Sequence, residues 1–323
     1  MAKTILVPLD GSTFAEHAVP VAMALARSAG ARLHLVQVHE VPVVPTSPDL
    51  LVPYDAQWDS ALRQQEEEYL QSVANRIAER AGLQSRTELL SGPAEMALAT
   101  YAREMEVDLV VMTTHGRSGL SRMWLGSVAD GVIRRSQVPV LLLRPSHAEL
   151  DYEEELRPAH ILCPLDGSEL SRGIIDAALW IGGLSEARYT LLRVTLPIPL
   201  LRPQIVTPES GNEARLMEEE QSHVRAEMEQ LAAPLRARGL QVETAVVSHG
   251  VPAVAILDYA ATHAVDLIAL ATHGRGGWSR LALGSVADKV LRGSMMPVLV
   301  YRPPVPTDEG NGVENGQGAR SRA

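Results

Sequence analysis

The segment THGRSGLSRMWLGSVAD, residues Thr114–Asp130, returns almost unchanged as THGRGGWSRLALGSVAD, residues Thr272–Asp288. The two copies agree at thirteen of seventeen positions, whereas neighbouring segments have diverged much further. The repeat extends through three further pairs of segments, which are Ile5–Ser12 with Ile161–Ser168, Val107–Gly116 with Val265–Gly274, and Val138–Pro145 with Met296–Pro303. Two copies separated by so long a period indicate tandem domains rather than a solenoid.

Each half alternates short apolar strands with helical patterns. The strands of the first half are predicted at Thr4–Leu9, Arg32–Val38, Arg86–Leu90, Asp108–Thr113 and Pro139–Leu143. They are rich in Val, Ile and Leu, which is typical of strands buried on both faces. Long Glu-rich helices are predicted at Gln57–Arg80 and Glu213–Arg238. The alternation predicts an α/β fold of two tandem, doubly wound, five-stranded parallel sheets with helices on both faces.

The repeat and the composition together suggest domain boundaries. We expect a first domain at 1–147, an acidic linker at 148–158, a second domain at 159–304 and a tail at 305–323. The tail is rich in Gly, Asn, Glu and Pro, so it is predicted to be disordered. Two Pro-rich connections, Val41–Pro53 and Pro197–Pro208, are longer than usual and could be lids or mobile loops.

Three local patterns concern the helices. Thr13 and Glu16 have the spacing of a capping box at the start of the first helix. Pro20 lies inside that helix and predicts a kink, because proline cannot donate a backbone hydrogen bond. The acidic runs Glu66–Glu68 and Glu218–Glu220 are interpreted as solvated helix faces.

Composition narrows the classes of partner. The formal net charge is −10 and aromatic residues make up only 4% of the chain, so nucleic-acid binding is not expected. No apolar run is long enough to cross a membrane. A strand predicted from Thr4 leaves no room for a signal peptide, and the single cysteine, Cys163, is expected to be a buried thiol. These features predict a cytoplasmic protein.

The repeated segment has the features of a phosphate-binding turn. Gly116, Gly119 and Gly126 let the backbone approach a ligand closely, and Gly126-Ser127 begins a helix whose N–H groups could bind phosphate. Arg117 could add a full positive charge. The second copy offers the same features in Gly274, Arg275, Gly276, Gly277, Gly284 and Ser285. The alternative is structural: the glycines could serve turns, or close packing at Gly126.

Two better-known nucleotide motifs are absent. The P-loop needs a lysine after a glycine, and neither lysine of the chain, Lys3 or Lys289, follows one. The dinucleotide-binding pattern G-x-G-x-x-G should open the first helix, but Leu9-Asp10-Gly11-Ser12 stands there.

Asp10 and Asp166 end the first strand of each half. Each could accept hydrogen bonds from ribose or face a metal ion bound to phosphate, and each could instead be a helix N-cap. Ligands of doubly wound sheets bind beyond the carboxyl ends of the strands, where the strand order reverses. If the first and fourth strands are neighbours there, Asp10 faces the loop at Gly116, and Asp166 faces the loop at Gly274.

These residues together resemble the universal stress protein family. Its motif is G-x-x-G, nine residues, then G-[ST]. Gly116 with Gly126-Ser127 and Gly274 with Gly284-Ser285 match it, whereas Thr113 and Ala271 replace the first glycine. The resemblance covers nearly the whole chain outside the linker and tail, so the chain resembles a tandem of two such domains.

The resemblance implies the strand order 3-2-1-4-5 in each domain and ATP, with or without Mg²⁺, in the crevice. It places Asp10 and Asp166 near the ribose, any metal near them, and the backbone of Val38 and Val194 at the adenine. The nucleotide-binding residues that it implies are Pro8, Asp10, Val38, Met112, Thr113, Gly116, Arg117, Ser118, Gly119, Gly126, Ser127 and Val128, with Pro164, Asp166, Val194, Ala271, Gly274, Arg275, Gly276, Gly277, Gly284, Ser285 and Val286 in the second half.

In this family the last strand commonly mediates dimerisation. Val140–Leu143 and Val298–Tyr301 could therefore pair within one chain as a pseudo-dimer, and two chains could form a homodimer. The main hypothesis is an ATP-binding regulatory module of the stress response, with one site per domain and little catalysis. The alternatives are a slow ATPase that uses His115 and His273, and a nucleotide-free scaffold with vestigial sites, favoured by the departures from the motif. The sequence identifies no regulatory protein partner.

Overall fold

The structure is a computed structural model that describes residues 2–40, 56–114, 125–144, 150–152, 156–197, 212–272 and 283–302. The strands are β1 Thr4–Leu9, β2 Arg32–His39, β3 Ser85–Ser91, β4 Leu109–Thr113, β5 Val140–Leu143, β6 His160–Leu165, β7 Arg188–Thr195, β8 Val242–Ser248, β9 Leu267–Ala271 and β10 Val298–Tyr301. The helices are α1 Thr13–Glu16, α2 Ala18–Ala29, α3 Ala56–Ala81, α4 Ala94–Glu104, α5 Ser127–Arg135, α6 Glu169–Arg172, α7 Ile174–Gly183, α8 Asn212–Ala237, α9 Pro252–Thr262 and α10 Ser285–Gly293.

All strands lie in one sheet, in the order β3-β2-β1-β4-β5-β10-β9-β6-β7-β8. Neighbouring strands are parallel within each half, which confirms the predicted doubly wound order 3-2-1-4-5. The two halves meet where β10 pairs with β5 in antiparallel orientation, with Leu299 opposite Leu141. The predicted pairing of the final strands is therefore present, and it joins the two five-stranded sheets into one.

The sheet is covered on both faces, and its central strands are buried along almost their whole length. All six residues of β1 are buried. Ile5 packs in the layer that contains α2 and α3, whereas Leu6 packs in the layer that contains α4 and α5. Successive side chains of a strand point to opposite faces, so an uninterrupted apolar run requires a helix layer on each side.

Two ion pairs, each within one helix, flank the junction between the halves. Arg134 Nε lies 2.7 Å from Asp130 Oδ2 in α5, and Arg292 Nε lies 2.9 Å from Asp288 Oδ1 in α10. The hydrogen bond to Asp130 raises the pKa of Arg134, and the charge of Asp288 adds to the effect across the junction. Arg144 also crosses it, donating to the carbonyl oxygen of Arg292 at 2.5 Å.

The first helix begins one residue earlier than the predicted capping box requires. Ser12 is the N-cap, and its Oγ accepts a hydrogen bond from the backbone N–H of Ala15. Thr13 is therefore inside the helix, and the capping-box prediction is wrong. Glu16 is buried and pairs instead with Arg76 of α3, at 2.7 Å.

The sequence predicts a kink at Pro20, but the structure has a break three residues earlier, between α1 and α2 at His17. Pro20 consequently lies in the first turn of α2, where a missing N–H costs no intrahelical bond. The second half has the same break at Gly173, between α6 and α7, with Asp176 at the position of Pro20. The break thus belongs to the fold and does not depend on the proline.

The acidic runs differ from the prediction at one residue. Glu67, Glu68 and Glu218–Glu220 are exposed, as expected. Glu66 is buried, so its assignment to a solvated helix face is wrong. Its carboxylate bonds to His39 at the end of β2, a contact with a strand far away in sequence.

Several predictions fall wholly or partly outside the described residues. These are the Pro-rich connections Val41–Pro53 and Pro197–Pro208, five residues of the linker at 148–158, and the tail at 305–323. Tyr152 of the linker is described, and the guanidinium of Arg80 lies 4.7 Å from its ring centre. Cys163 is buried, as predicted, and burial raises its thiol pKa to about 12. Among the described helices, none combines the length and the apolar character needed to cross a membrane.

Candidate functional site

A crevice opens in the first half beyond the carboxyl ends of β1, β2 and β4. β1 pairs with β2 on one side and with β4 on the other, so the strand order reverses at this place. The cavity has a volume of about 350 Å³. That volume falls within the range of roughly 300–1,000 Å³ that small-molecule sites occupy.

The cavity brings together eight of the residues predicted from the sequence. They come from the ends of three strands and from the start of α5, and they are Pro8, Asp10, Val38, Met112, Thr113, Gly126, Ser127 and Val128. The other predicted residues of this half, Gly116, Arg117, Ser118 and Gly119, lie outside the described residues, as does His115. The described lining also includes Gln37, Glu40 and Glu66, which sequence reasoning missed.

The start of α5 presents backbone donors to the cavity. Gly126 is the N-cap in extended conformation, and no side chain of the described residues caps this helix. The N–H of Gly126 donates to the carbonyl oxygen of Thr114 at 2.8 Å, which holds the helix start against the end of β4. The next amides, from Ser127 to Ala129, have no acceptor within the helix, because the first turn lacks one.

Asp10 has a defined local role. Its Oδ1 accepts hydrogen bonds from the backbone N–H of Ser12 at 3.0 Å and from Ser12 Oγ at 2.6 Å. Ser12, and not Asp10, caps α1, so the N-cap alternative for Asp10 is wrong. Asp166 makes the same two bonds to Ser168 in the second half. These bonds fix each carboxylate at the end of its strand.

Gln37 contributes a buried amide to the wall of the cavity. Only 2% of the residue is exposed, and its Oε1 has no hydrogen-bond partner among the described residues. A buried polar atom without a partner carries a desolvation cost that a bound donor would remove. In the sequence, Gln37 stands out only as a polar residue within a mainly apolar strand. That pattern indicates a special environment but does not identify a ligand.

Glu40, which also lines the cavity, links the end of β2 to the start of α4 by a hydrogen bond. Its Oε1 accepts a hydrogen bond from the backbone N–H of Ala94, the first residue of α4, at 2.9 Å. A carboxylate at a helix N-terminus is stabilised by the unpaired amides and by the helix dipole. Nothing in the local sequence predicts this contact, because 54 positions separate the two residues.

A buried cluster lies at the rim, formed by His39 and α3. His39 Nδ1 lies 2.7 Å from Glu66 Oε2, and His39 Nε2 lies 2.9 Å from Asp59 Oδ1. Arg63 Nε contacts the other oxygen of Asp59 at 2.9 Å. Both ring nitrogens of the histidine are therefore occupied by carboxylates. Among the described residues, no group of His, Cys, Asp or Glu side chains is arranged to hold a metal ion.

The second half places its predicted residues at the matching ends of strands and helix. The described ones are Pro164, Asp166, Val194, Ala271, Gly284, Ser285 and Val286, whereas Gly274, Arg275, Gly276, Gly277 and His273 lie outside the described residues. Gly284 donates its N–H to the carbonyl oxygen of Thr272 at 2.9 Å. A Cβ at Gly284 would lie 2.6 Å from that oxygen, so close backbone packing requires glycine here.

Comparison with known proteins agrees with this architecture. The model of the Universal stress protein family matches residues 1–144 and 159–302. A universal stress protein of Mycobacterium tuberculosis is 28% identical over 326 residues, covering 93% of this chain and 95% of its own length.

Solved structures of such proteins are also similar. One from Archaeoglobus fulgidus has a TM-score of 0.64 at 20% identity, covering 93% of this chain and 96% of its own, which supports the fold. A universal stress protein solved in complex with cAMP is 25% identical, with a TM-score of 0.34, covering 45% of this chain and 98% of its own. The chain therefore belongs to the universal stress protein family and carries two of its domains in tandem.

Proposed function

We propose that this protein binds ATP in the crevice of its first half and acts as a regulatory module of the stress response. The observation that carries the proposal is the start of α5, which no described side chain caps and which opens into a cavity of suitable size beside Asp10. Bound nucleotide would favour one arrangement of the loops around the crevice, and a partner protein could recognise that arrangement.

The start of α5 supports the placement of phosphates. Unpaired amides and the positive end of a helix dipole together favour an anion. No lysine or arginine occurs among the described lining residues, so the remaining charge of a triphosphate requires another cation. Arg117, outside the described residues, or Mg²⁺ bound through the phosphates near Asp10, would supply it.

The opposite part of the crevice suits a base. Leu62, Leu98 and Met112 provide apolar surface, and the backbone at Val38 ends β2 at the edge of the cavity. Gln37 adds a buried acceptor that an exocyclic amine or a hydroxyl group could satisfy. A small apolar cavity with a few fixed polar groups is the usual form of a nucleotide site.

The described residues of this crevice offer little for fast phosphoryl transfer. That chemistry needs a positioned base and strong charge stabilisation. His39, the histidine next to the described lining, has both ring nitrogens bonded to carboxylates. We therefore expect binding with slow turnover or none, and a turnover assay at saturating ATP with Mg²⁺ measures it.

A proline at the first position of α5 tests the phosphate site. A residue before proline adopts an extended backbone, and Gly126 already has one, with φ −61° and ψ 150°. Proline is also well tolerated at the first position of a helix. Ser127→Pro would therefore remove one amide donor without breaking the helix. A hydrogen bond to a charged group contributes about 1.5–3 kcal/mol, so ATP affinity should fall roughly 10- to 100-fold.

Ser127→Ala is the matched control, because it removes the hydroxyl group and keeps the amide. Isothermal titration of ATP with Mg²⁺ into the wild type and both variants gives the three affinities. The proposal predicts a large loss for Ser127→Pro and a smaller one for Ser127→Ala. Absence of any binding heat in the wild type would instead favour the nucleotide-free scaffold.

A further inference from the structure

The two halves differ at a buried position near the carboxyl end of their second strands, which borders the crevice in the first half. Gln37 of β2 lies opposite Leu9 of β1 in the sheet register, and Arg193 of β7 lies opposite Leu165 of β6. Leu9 and Leu165 are equivalent in the repeated segment, so Gln37 and Arg193 are equivalent as well. A short neutral amide in the first half is thus replaced by a long cationic side chain in the second.

Arg193 occupies the position of the second half that corresponds to Gln37 in the wall of the first crevice. Arg193 is only 5% exposed, and its Nη1 donates to the carbonyl oxygen of Leu165 at 3.5 Å. A Cβ built at Gly167 would lie 2.7 Å from Nη2 and 2.9 Å from Cζ, so the guanidinium rests directly on the backbone of Gly167. It therefore covers the turn that follows β6.

The equivalent turn in the first half is open. Leu9 and Asp10 line the cavity there, and Gln37 lies at its wall with no described partner for Oε1. A ligand in the second half would have to occupy the space that Arg193 now fills. Moving that guanidinium would break its bond to Leu165 and uncover a buried charge, which is costly unless a new partner replaces the old one.

We infer that Arg193 closes the second crevice to adenine nucleotides, so that one chain binds a single nucleotide, in its first half. The inference rests on the proposed function and changes its stoichiometry, since the repeat by itself predicts one site per domain. The residue pair Gln37 and Arg193 then decides which half is occupied.

The positions at the rim of the first crevice also carry different residues in the second half. Leu196 replaces Glu40, and Pro252 replaces Ala94 at the first position of the following helix. Proline has no N–H, so the bond between Glu40 and Ala94 has no counterpart and none is needed. Thr195 likewise replaces His39. The contacts that shape the first crevice are therefore absent at these positions of the second.

Arg193→Gln tests the inference directly, because it gives the second half the side chain of the first. Equilibrium dialysis with radiolabelled ATP and Mg²⁺ counts bound nucleotides per chain. We expect one in the wild type and two in Arg193→Gln. Adding Ser285→Pro, which removes the amide equivalent to that of Ser127, should abolish the gained site and leave the original one.

Gln37→Arg is the reciprocal variant and should reduce the wild-type stoichiometry from one towards zero. Its circular dichroism and thermal unfolding show whether it is folded. The conclusion does not depend on it, because Arg193→Gln replaces a long side chain by a shorter one. Photolabelling with 8-azido-ATP and peptide mapping identifies the occupied half in each protein.

The outcomes separate the inference from the proposed function. Two nucleotides bound to the wild type, or one still bound to Arg193→Gln, would overturn the inference and leave ATP binding in place. No nucleotide bound to the wild type would overturn the proposed function. A site gained in Arg193→Gln would then still support the closing role of Arg193, and no gain would overturn both.

Discussion

Glu66 Oε2 lies 2.7 Å from His39 Nδ1, and this bond joins the middle of α3 to the carboxyl end of β2. The histidine side chain is fully buried, and Asp59 bonds to its other nitrogen. The cluster therefore positions the long helix of the first half above the crevice. A buried polar cluster of this kind stabilises the fold only while each member keeps its partners.

The first prediction concerns that cluster. Glu66→Ala leaves one nitrogen of His39 buried without its partner, so we expect a loss of about 1–3 kcal/mol in the free energy of unfolding. Urea denaturation measures it. Glu67→Ala is the control, because Glu67 is exposed on the same helix and should change stability by less than about 0.5 kcal/mol. Equal effects of the two variants would contradict the role given to Glu66.

The second prediction concerns Gly284. Gly284→Ala would place a Cβ 2.6 Å from the carbonyl oxygen of Thr272, which is backbone and cannot move aside. Overpacking of this kind costs about 1–3 kcal/mol, so the thermal unfolding temperature should fall. Gly183→Ala is the control, since no atom lies within 4 Å of the added Cβ at that helical position. An unchanged unfolding temperature for Gly284→Ala would show that the close approach is not required.

A third prediction tests the junction between the halves. Leu141 and Leu299 face each other in the antiparallel pair and are both fully buried. Leu141→Ala should cost about 2–5 kcal/mol and should speed hydrogen exchange in β10 as well as in β5. Leu35→Ala, an equally buried change in β2, is the control, and its faster exchange should centre on the first half. Exchange in β10 that Leu141→Ala leaves unchanged would contradict coupling through this pair.

The fourth prediction is a pH dependence of stability. Burial lowers the pKa of His34, with the charges of Arg86 and Arg32 adding to it, and burial likewise lowers the pKa of His160. Below the unfolded value of about 6.5, the unfolded chain then binds protons that the native protein does not. The free energy of unfolding must therefore fall as the pH falls through this range.

Thermal unfolding between pH 7.5 and 5.5 measures this dependence. The double variant His34→Gln and His160→Gln should show a flatter profile than the wild type. His223→Gln is the control, because His223 is exposed and should leave the slope unchanged. A double variant with the wild-type slope would mean that other groups cause the dependence.

The strands of the first half could be predicted to within a residue or so, because they are short apolar runs with a repeated copy. The strand order came from the family resemblance. The start of α5 at Ser127 was also correctly expected, since glycine before a serine marks a helix N-terminus here. The N-cap of α1 was placed one residue late, because Ser12 and Thr13 have the same capping chemistry and only geometry distinguishes them.

Contacts between distant residues could not be predicted. Glu66 and Glu67 look alike on an acidic helix, and only the packing of α3 on β2 buries one and exposes the other. Gln37 and Arg193 each interrupt a mainly apolar strand, but the sequence does not reveal that Gln37 lines a cavity whereas the guanidinium of Arg193 rests on the turn at Gly167.

By itself, the sequence determined that the chain is two copies of one α/β unit, each with a glycine-rich turn before a helix. Periodicity and repetition are local or copied patterns, and they can be observed without coordinates. The sharing of one sheet is suggested by the family resemblance, but only the tertiary structure decided that a buried guanidinium covers the turn after β6 and not the turn after β1. That difference depends on the position of the Arg193 guanidinium relative to the backbone turn at Gly167, which lies 26 positions earlier in the chain. Such a distance is set by strand register and side-chain packing, which no local pattern encodes.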